Sequence, residues 1–585
     1  MVEHEIRSKY TLRLLAGILL ITFLVYLPSL QNGFTNWDDP DQVLENTDVH
    51  QLSAAGTMAI FSSFYVGMYQ PLTSQVYAVV YQIFGPEATA FHSLSLLIHL
   101  LNVLLVFMLV RQFVKRDGPA LVTAALFALN PMQTESVAWI SATSNLLYTA
   151  FFLAGLITYL RYIRTGHIKQ LIFTLLLFML SLLSKPSAVT FPVIMLLADL
   201  YFRRKFDLKL ILEKIPFLIC ALAIGLLTIY AREEAGHIID ITERFGWSDR
   251  ILMVFYALAF YITRLFSPTG LSAFHPYPLS GLTIEYYIAP LVIIMLVFLV
   301  FRLRGEQKRQ VLAGLLFFFF SIAVTLEIIP VGVQVVKERY VYLPSIGLYF
   351  VFAVLMFYLF VRKKRWITPV LTVVMMALFS ILTLARSATW IDSMTLWNDI
   401  LDSYPEASAP LINRGNTWQE SGDMSRAITD YSMAIVFEPG AADAYLNRGL
   451  AYYKLEKTEQ ALNDFDMAIS LGADDASSYN YRGLLWAAKG QFENAISDFR
   501  LAIERDASHL NARINLGLMY ANLADYPMAY EALSNAIAID QHAAKAYYWR
   551  GMVLLQMKRF NETCDDMRAA VSNGWPADQV PEFCK

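Results

Sequence analysis

The sequence predicts an all-α protein in two parts, a polytopic bundle of transmembrane helices followed by a helical solenoid. The chain of 585 residues is 56% hydrophobic and has a mean hydropathy of +0.45, which excludes an ordinary soluble protein. Apolar runs follow one another up to about residue 385, and the chain becomes polar after about residue 403. In the polar part, glycines recur every 34 residues. The net charge of -3 suggests no nucleic-acid partner.

Eleven apolar runs are predicted to cross the membrane, because a span needs roughly 20 apolar residues and fewer in a crowded bundle. The first run has no small-residue cleavage site, so we interpret it as a membrane anchor rather than a signal peptide. A shorter apolar segment, residues 72–84, is predicted to lie at the membrane interface. The predicted spans are residues 11–30, 91–113, 119–134, 137–163, 169–184, 187–202, 211–230, 284–302, 310–329, 344–362 and 366–386.

Clusters of Lys and Arg orient the predicted spans, since cytoplasmic loops carry an excess of these residues. The alternation of the clusters is consistent only if residues 251–267 do not cross, so this segment is predicted to be re-entrant or to lie at the outer interface. Eleven crossings then place the N-terminus in the cytoplasm and the C-terminal part outside the cytoplasmic membrane. The clusters are Arg7/Lys9/Arg13, Arg111/Lys115/Arg116, Arg161/Arg164/Lys169, Arg203/Arg204/Lys205/Lys209, Arg302/Arg304/Lys308/Arg309 and Arg362/Lys363/Lys364/Arg365.

The polar part repeats with a period of 34 residues, which is the tetratricopeptide pattern of small residues where paired helices touch. After a membrane domain of residues 1–386 and a linker at 387–407, five repeats are predicted over 408–577, with a cap at 578–585. Such a solenoid presents a concave surface for a peptide or protein, and a mere spacer is the alternative. The recurring residues include Gly415, Gly449, Gly483, Gly517, Gly551, Ala427, Ala461, Ala495 and Ala529.

Two adjacent carboxylates, Asp38 and Asp39, follow the first span in an acidic loop without Lys or Arg between Gln31 and Gln70. Such a pair suits proton abstraction from a hydroxyl group or binding of a metal ion. The alternative is a solvated turn, because Asp-Asp-Pro is good turn chemistry. No Cys or His cluster has metal-ligand spacing, so no structural metal and no required cofactor are predicted, and a divalent ion at the pair stays open.

Seven short motifs lie along the membrane part. They are Asp38-Asp39, Tyr69-Gln70-Pro71-Leu72-Thr73, Phe91-His92 with His99, Asn130-Pro131-Met132-Gln133-Thr134-Glu135-Ser136-Val137, Leu183-Ser184-Lys185-Pro186, Phe274-His275-Pro276-Tyr277-Pro278 and Glu338-Arg339-Tyr340-Val341-Tyr342-Leu343-Pro344. This set resembles the lipid-linked-sugar-dependent glycosyltransferases of the C-type fold. It is most similar to the transmembrane protein O-mannosyltransferases with C-terminal tetratricopeptide repeats and their bacterial relatives. The chain departs from the family's usual residues at Gln70 for Arg, Asn130 and Gln133 for His, and Glu338 for Asp.

The resemblance implies transfer of mannose or a similar hexose from a polyprenyl-phosphate carrier to a protein on the outer face of the membrane, within a catalytic outer loop at residues 31–90. Such transfer needs a base for the acceptor hydroxyl and cations for the leaving phosphate. By resemblance, Asp38 or Asp39 is the base. Glu135 orients the base or the acceptor, or alternatively caps a helix. The expected donor-phosphate residues are Lys185, Arg339, Tyr340 and His275.

Each expected phosphate residue has a second interpretation. Lys185 is costly to bury on its tight outer turn without an anion, and extension of its ammonium to lipid headgroups is the alternative. Arg339 suits bidentate phosphate binding, and an ion pair with Glu338 or an acid of the first loop is its alternative. His275 is alternatively a packing residue. At the level of function, the alternatives are a non-catalytic membrane scaffold for envelope assembly and transfer to a lipid or glycan.

Two of the three cysteines, Cys564 and Cys584, are predicted to form a disulfide, whereas Cys220 lies in an apolar span. The last repeat has no successor to cover its exposed face, so a short helix at about residues 577–583 is expected to fold back over it. The disulfide would hold this cap, and two unpaired thiols are the alternative. It also requires an oxidising compartment, which the predicted topology supplies.

Overall fold

The computed structural model describes residues 2–236, 244–278, 281–326, 332–360 and 366–584, which form two compact units, Met1–Tyr404 and Pro405–Lys585. Regular secondary structure in both units is almost entirely helical. The predicted all-α class, a membrane bundle followed by a repeat solenoid, is therefore confirmed. The basic cluster at residues 362–365, which contributes to the predicted orientation, lies outside the described residues.

Seven helical segments in the described part of the first unit are long and apolar enough to cross a membrane. They are Lys9–Gln31, Ala88–Val114, Ile140–Thr165, Leu208–Glu234, Ile284–Arg302, Gly305–Thr325 and Ile367–Trp390. Shorter apolar helices occupy the other four predicted span positions, at Asp117–Leu129, Ile168–Ser184, Pro186–Tyr201 and Ser345–Phe360. The chain is thus a multi-pass membrane protein, and the count of eleven crossings stays a prediction.

Two further helices cover the segments that the sequence predicts not to cross. The helix Trp247–Arg264 carries Asp249 and Arg250 in its first turn and Arg264 in its last, and charges of this kind are expensive in a lipid-crossing helix. It is not among the candidate spans of the described residues. The segment predicted at the membrane interface forms the helix Pro71–Phe84, which follows the short helix Ala54–Ser62.

The helix Thr143–Thr165 lies at the centre of the membrane unit. The apolar window of the span Ile140–Thr165 is 89% buried, whereas that of Ile284–Arg302 is only 11% buried. An apolar helix with a largely uncovered surface is suited to face lipid, and a covered one forms the core of the bundle. The short elements before the central helix, which contain predicted site residues, are therefore connected to the most tightly packed helix of the bundle.

Short elements connect the helices where the predicted site residues lie. After Asn130 come the 3-10 turn Pro131–Gln133, the helix Thr134–Ala138 and the 3-10 turn Ile140–Ala142. The strands His275–Pro276 and Gln334–Val336 pair antiparallel, which brings the loop of His275 beside the residues that precede Arg339. The 3-10 turn Glu338–Val341 then leads into the helix Ser345–Phe360.

The region predicted as a linker at 387–407 is structured over much of its length. It contains the 3-10 turn Ala388–Trp390 and the helix Ser393–Ser403, and both belong to the first unit. Trp390 and Trp397 are each 1% exposed. Burial of these two indole rings stabilises the packing of this segment within the membrane unit. The polar composition of the segment does not indicate such packing.

The second unit consists of five antiparallel helix pairs that match the predicted tetratricopeptide repeats. The pairs are Ser408–Glu420 with Met424–Phe437, Ala442–Lys454 with Thr458–Ser470, Ala476–Ala488 with Phe492–Arg505, Leu510–Asn522 with Tyr526–Ile539, and Ala544–Gln556 with Phe560–Ser572. The recurring alanines Ala427, Ala461, Ala495 and Ala529 are fully buried. Small residues at these positions let the paired helices approach closely.

A disulfide joins Cys564 to Cys584, with the two Cα atoms 4.9 Å apart. The segment between them differs from the single short helix expected at about residues 577–583. It forms two 3-10 turns, Ala577–Gln579 and Glu582–Cys584. Pro581 explains the interruption, because proline lacks an N–H donor and pushes the preceding residue to an extended conformation, as Val580 shows.

Candidate active site

Asp39 holds the first outer loop in place. Its carboxylate is 1% exposed and accepts four hydrogen bonds. The Thr35 N–H and hydroxyl donate to Oδ2 at 2.8 Å and 3.0 Å, and the Ser141 N–H at 3.0 Å and the Ser141 hydroxyl donate to Oδ1. A carboxylate has about four lone-pair positions, so none remains for a substrate proton. Asp39 therefore fastens the loop to the turn Ile140–Ala142.

Asp38 is the available carboxylate of the pair. Its side chain is partly exposed, and none of the described residues donates a hydrogen bond to its oxygens. Burial raises the pKa of Asp38 to about 6, with Arg339 and Lys337 opposing the shift and Asp39 adding to it. A carboxylate with this pKa is ionised near neutral pH and still basic enough to take a proton, which is what a general base requires.

Glu135 and Arg339 form a buried ion pair. Glu135 is 2% exposed, and its carboxylate accepts hydrogen bonds from the Arg339 N–H at 2.7 Å and from Nη1 of the guanidinium. Burial raises the pKa of Glu135, although Arg339 opposes this shift. The partner of Arg339 is thus Glu135, rather than Glu338 or an acid of the first loop. Two bonds from one residue fix the direction of the guanidinium.

The ring of Tyr340 gathers three cations, which we call the cation cluster: Lys185, Lys337 and Arg339. The ammonium nitrogens of Lys185 and Lys337 lie 5.4 Å and 5.3 Å from the ring centroid, and the Arg339 guanidinium carbon lies 5.3 Å from it. Cation–π attraction stabilises this arrangement only modestly compared with the repulsion of neighbouring charges. An anion bound at the cluster would relieve that repulsion.

Lys185 shows most clearly that the cluster suits an anion. Its side chain is 7% exposed, and its ammonium donates to the neutral Oδ1 of Asn145 at 2.6 Å. Burial, followed by the charge of Arg339, lowers the pKa of Lys185 well below its ordinary value. A buried ammonium with a neutral partner regains stability when a negative group arrives.

His275 lies in a different set of contacts. Its Nε2 is 3.1 Å from Glu338 Oε1 and its Nδ1 is 2.9 Å from the Tyr404 hydroxyl, and its ring packs edge-on against Phe260. These contacts occupy both ring nitrogens. The strand of His275 pairs with the residues just before Lys337, but the His275 side chain is not a member of the cation cluster. Its role in phosphate binding stays a prediction.

Tryptophan rings form a wall next to the acidic pair. Trp37 stacks on Trp139 with centroids 5.1 Å apart, and Trp139 stacks on Trp390 at 5.5 Å. Trp397 packs against Trp37 and donates from its indole to Asn36 Oδ1 at 2.6 Å. The Arg339 guanidinium lies 5.1 Å from the Trp139 ring centroid. The wall thus joins the loop of Asp38 to the residue that we expect to bind phosphate.

Hydrogen bonds between side-chain hydroxyls and backbone groups position the segments that carry Lys185 and Lys337. The Thr73 hydroxyl donates to the Ser184 carbonyl at 2.8 Å, which ties the helix Pro71–Phe84 to the turn of Lys185. The Tyr261 hydroxyl donates to the Lys337 carbonyl at 2.9 Å and accepts from its N–H at 3.2 Å. The helix Trp247–Arg264 therefore helps to hold one cation of the cluster.

Several site residues are absent from the sequence-based prediction. These are Thr35, Ser141, Asn145, Lys337 and Trp139. One usable signal exists for two of them, because Ser141 and Asn145 begin and end a short polar run, residues 141–145, near the start of a predicted membrane span. In the described ranges, no three His, Cys, Asp or Glu side chains come together as metal ligands do.

Comparison with known families supports both parts of the chain. Residues 70–230 match the family described as dolichyl-phosphate-mannose-protein mannosyltransferase. Residues 415–456, 442–474 and 476–509 match tetratricopeptide repeat families. These matches confirm the resemblance that the sequence motifs indicate.

Similar proteins share the name protein O-mannosyl-transferase. The human protein TMTC1 is 23% identical over 499 residues, which are 74% of this chain and 55% of that protein. The Caenorhabditis elegans protein F38B6.6 is 23% identical over 451 residues, 73% of this chain and 63% of that protein. Drosophila melanogaster Tmtc1 is 28% identical over 185 residues, 30% of this chain and 21% of that protein. The chain thus spans less than two thirds of these relatives' own lengths.

A solved structure also resembles a part of the chain. The tetratricopeptide repeat protein YrrB is 20% identical, with a TM-score of 0.29, and the similarity covers 32% of this chain and 94% of YrrB.

Proposed function

We propose that this chain, whose residues 70–230 match the mannosyltransferase family, is a membrane glycosyltransferase. It would move mannose or a similar hexose from a polyprenyl-phosphate carrier to a hydroxyl group of a protein. The family match and the names of the relatives support the reaction and the protein acceptor. The observation that carries the proposal is that Asp38, a carboxylate free of hydrogen bonds from the described residues, lies within the field of the cation cluster.

In the proposed reaction, Asp38 accepts the proton of the acceptor hydroxyl, and the cation cluster stabilises the negative charge of the leaving phosphate. Asp38 takes the proton from the acceptor hydroxyl while the oxygen of that hydroxyl bonds to the anomeric carbon of the sugar. The bond from this carbon to the carrier phosphate breaks, and its electron pair remains on the phosphate, which thereby gains one negative charge. Lys185 and Arg339 stabilise this growing charge. Because the acceptor attacks opposite the leaving phosphate, the sugar's anomeric configuration inverts.

The other residues of the site prepare these groups before the reaction. Glu135 directs the Arg339 guanidinium through two hydrogen bonds, and the Tyr340 ring gathers the cations. Asp39 holds the loop that carries Asp38. Groups that are oriented in advance need no reorganisation as charge develops, which is the main source of electrostatic catalysis.

The proposal includes a location and a role for the repeats. The N-terminus would lie in the cytoplasm, and the site and the repeats on the outer face of the cytoplasmic membrane, as the Lys and Arg clusters predict. The repeats would present the protein acceptor or a partner protein. Neither a nucleic acid nor a required metal cofactor belongs to the proposal.

Mass spectrometry of surface proteins tests this function. Cells that lack the chain are compared with cells that carry it and with cells that carry the Asp38→Asn variant. We expect hexose adducts to disappear in the first strain and to return only with the unaltered chain. Complete retention of every sugar adduct in the deletion strain would instead favour the non-catalytic scaffold. Adducts lost from lipids or glycans, with proteins unaffected, would identify the other acceptor class.

A further inference from the structure

A buried amide in the first turn of the central helix has an unused donor next to the cation cluster. Asn145 is 1% exposed, and its Oδ1 accepts the hydrogen bond from the Lys185 ammonium at 2.6 Å. When Lys185 is charged, as it is with an anion bound, its ammonium only donates and must therefore face the oxygen of this amide. The Nδ2 group finds no acceptor among the described residues.

An unsatisfied buried N–H group requires an explanation. Leaving such a donor without a partner typically costs about 1–3 kcal/mol, and native proteins contain few of them. The Nδ2 of Asn145 lies close to the Lys185 ammonium, because Oδ1 of the same amide group accepts the hydrogen bond from that ammonium. Besides burial, the charges of Arg339, Arg232 and Lys337 lower the pKa of Lys185, and the negative charge of Glu135, which is paired with Arg339, opposes them. The missing partner should therefore be an acceptor that is also negatively charged.

We propose that Asn145 is a further residue of the donor-phosphate site, whose Nδ2 donates to a phosphate oxygen while its Oδ1 orients Lys185. A phosphate group has several acceptor oxygens close together, so one group can receive hydrogen bonds from both side chains. This inference rests on the proposed function, because it takes the phosphate to be that of the polyprenyl carrier. Asn145 then acts on the donor both directly and through Lys185.

A double-mutant cycle separates the direct role of Asn145 from the indirect one. If Asn145 only held Lys185 in place, its replacement would have no further effect once Lys185 had been replaced. If its Nδ2 donates to the phosphate, the replacement still weakens binding in the absence of Lys185. The cycle therefore compares the unaltered chain, Asn145→Leu, Lys185→Met and the double variant.

The measurement is the affinity of the detergent-solubilised full chain for polyprenyl phosphate, with polyprenol as the ligand that lacks the phosphate. We expect Asn145→Leu to weaken phosphate binding roughly tenfold or more, and to weaken it again in the Lys185→Met background, by a smaller factor because only the direct contribution remains. Polyprenol affinity should stay unchanged, which also shows that the variants are folded. Inorganic phosphate should compete only weakly, because the site is built for a lipid-linked group.

Two further variants serve as controls for the role of the Asn145 N–H donor. Asn145→Asp keeps the size of the side chain and an acceptor for Lys185 but removes the N–H donor, so it should lose phosphate affinity as well. Asn102→Leu removes another fully buried amide, whose Nδ2 donates to the Leu146 carbonyl and the Tyr342 hydroxyl, and it should keep the affinity.

Three results would overturn the inference. They are equal phosphate affinities of Lys185→Met and the double variant, unaltered affinity of Asn145→Asp, and an equal loss in Asn102→Leu. The first would leave Asn145 as a positioning residue for Lys185. The proposed function fails separately, when the unaltered chain binds polyprenyl phosphate no better than polyprenol. In that case the inference fails with it.

Discussion

The carboxylate oxygens of Asp39 bind Thr35 and Ser141 and thereby join the first outer loop to the start of the central helix. Replacement of Asp39 by Asn turns one oxygen into an amide group that faces N–H and O–H donors. Two hydrogen bonds to a charged group are lost, so we expect the free energy of unfolding to fall by about 3 kcal/mol or more. Thermal unfolding of the purified variant measures this loss.

Residual activity of the same variant distinguishes the two acids. We expect Asp39→Asn to lose transfer in proportion to its loss of folded protein. An unfolding midpoint equal to that of the unaltered chain, together with complete loss of transfer, would show that Asp39 takes part in the chemistry. In that case the base would be Asp39 or the pair, and Asp38 alone would not account for the reaction.

The pKa of Asp38, raised to about 6 chiefly by burial, predicts how transfer depends on pH. Below this pKa the carboxyl group is protonated and cannot accept the proton of the acceptor hydroxyl. Above it, the group is a carboxylate and can do so. We therefore expect kcat/KM to fall roughly tenfold for each pH unit below about pH 6 and to level off above it. A profile that stays flat through this range would contradict the assignment.

Among the elements, the repeat helices share a buried ion pair between their first and second helices. Arg414, Arg448, Arg482 and Arg550 each bind the aspartate 16 residues later, Asp430, Asp464, Asp498 and Asp566. The fourth repeat has Leu516 and Ala532 at these two positions, and both are buried. The fourth repeat thus lacks both members of the ion pair and not one alone, as expected because a buried charge without its partner is costly.

This pattern predicts the outcome of substitutions in the second repeat. Arg448→Met leaves Asp464 buried without its partner, and we expect a local loss of about 2 kcal/mol, less than for a fully buried pair. The double variant Arg448→Leu/Asp464→Ala, which copies the fourth repeat, should lie within about 1 kcal/mol of the unaltered chain. Hydrogen exchange of Ala442–Lys454 and Thr458–Ser470 measures both. A double variant less stable than the single one would refute this account.

Local patterns in the sequence were sufficient to predict the helical elements. The apolar runs and the 34-residue period each depend on neighbouring residues, and the positions of the shorter membrane helices and all five repeats follow from them. The segment around Trp390 and Trp397 was predicted as a linker, since its burial depends on Trp37 and Trp139, far away in the chain. Element boundaries are thus predictable where the stabilising contacts are local.

The arrangement of the site could be predicted only in part. The motifs identify Asp38, Asp39, Glu135, Lys185 and Arg339 as residue types suited to sugar transfer. Their division of labour depends on contacts between distant segments, such as the Glu135–Arg339 pair, whose members are 204 residues apart. Spacing in the sequence carries no information about which of two adjacent acids accepts four hydrogen bonds.

At the scale of the whole molecule, the proposed orientation places the catalytic loops and the repeats on the same outer side. Four segments predicted there do meet, through the pairs Asp39–Ser141, Thr73–Ser184 and Glu135–Arg339. A reporter enzyme fused after Ser403 should therefore be active only outside the cytoplasm. A cytoplasmic signal would mean that residues 251–267 cross, and would separate the repeats from the proposed site. Oxidised Cys564 and Cys584 in the isolated chain would independently support the outer location.

The central claim is that Asp38 is the base of a sugar transfer from a polyprenyl-phosphate carrier, and the rate of that transfer by the purified chain tests it most directly. The Asp38→Asn variant is compared with Asp41→Asn, which removes an exposed acid of the same loop. We expect Asp38→Asn to bind the carrier normally but to transfer about a hundredfold more slowly or worse, and Asp41→Asn to remain within about twofold of the unaltered chain. Transfer by Asp38→Asn at the unaltered rate would contradict the account.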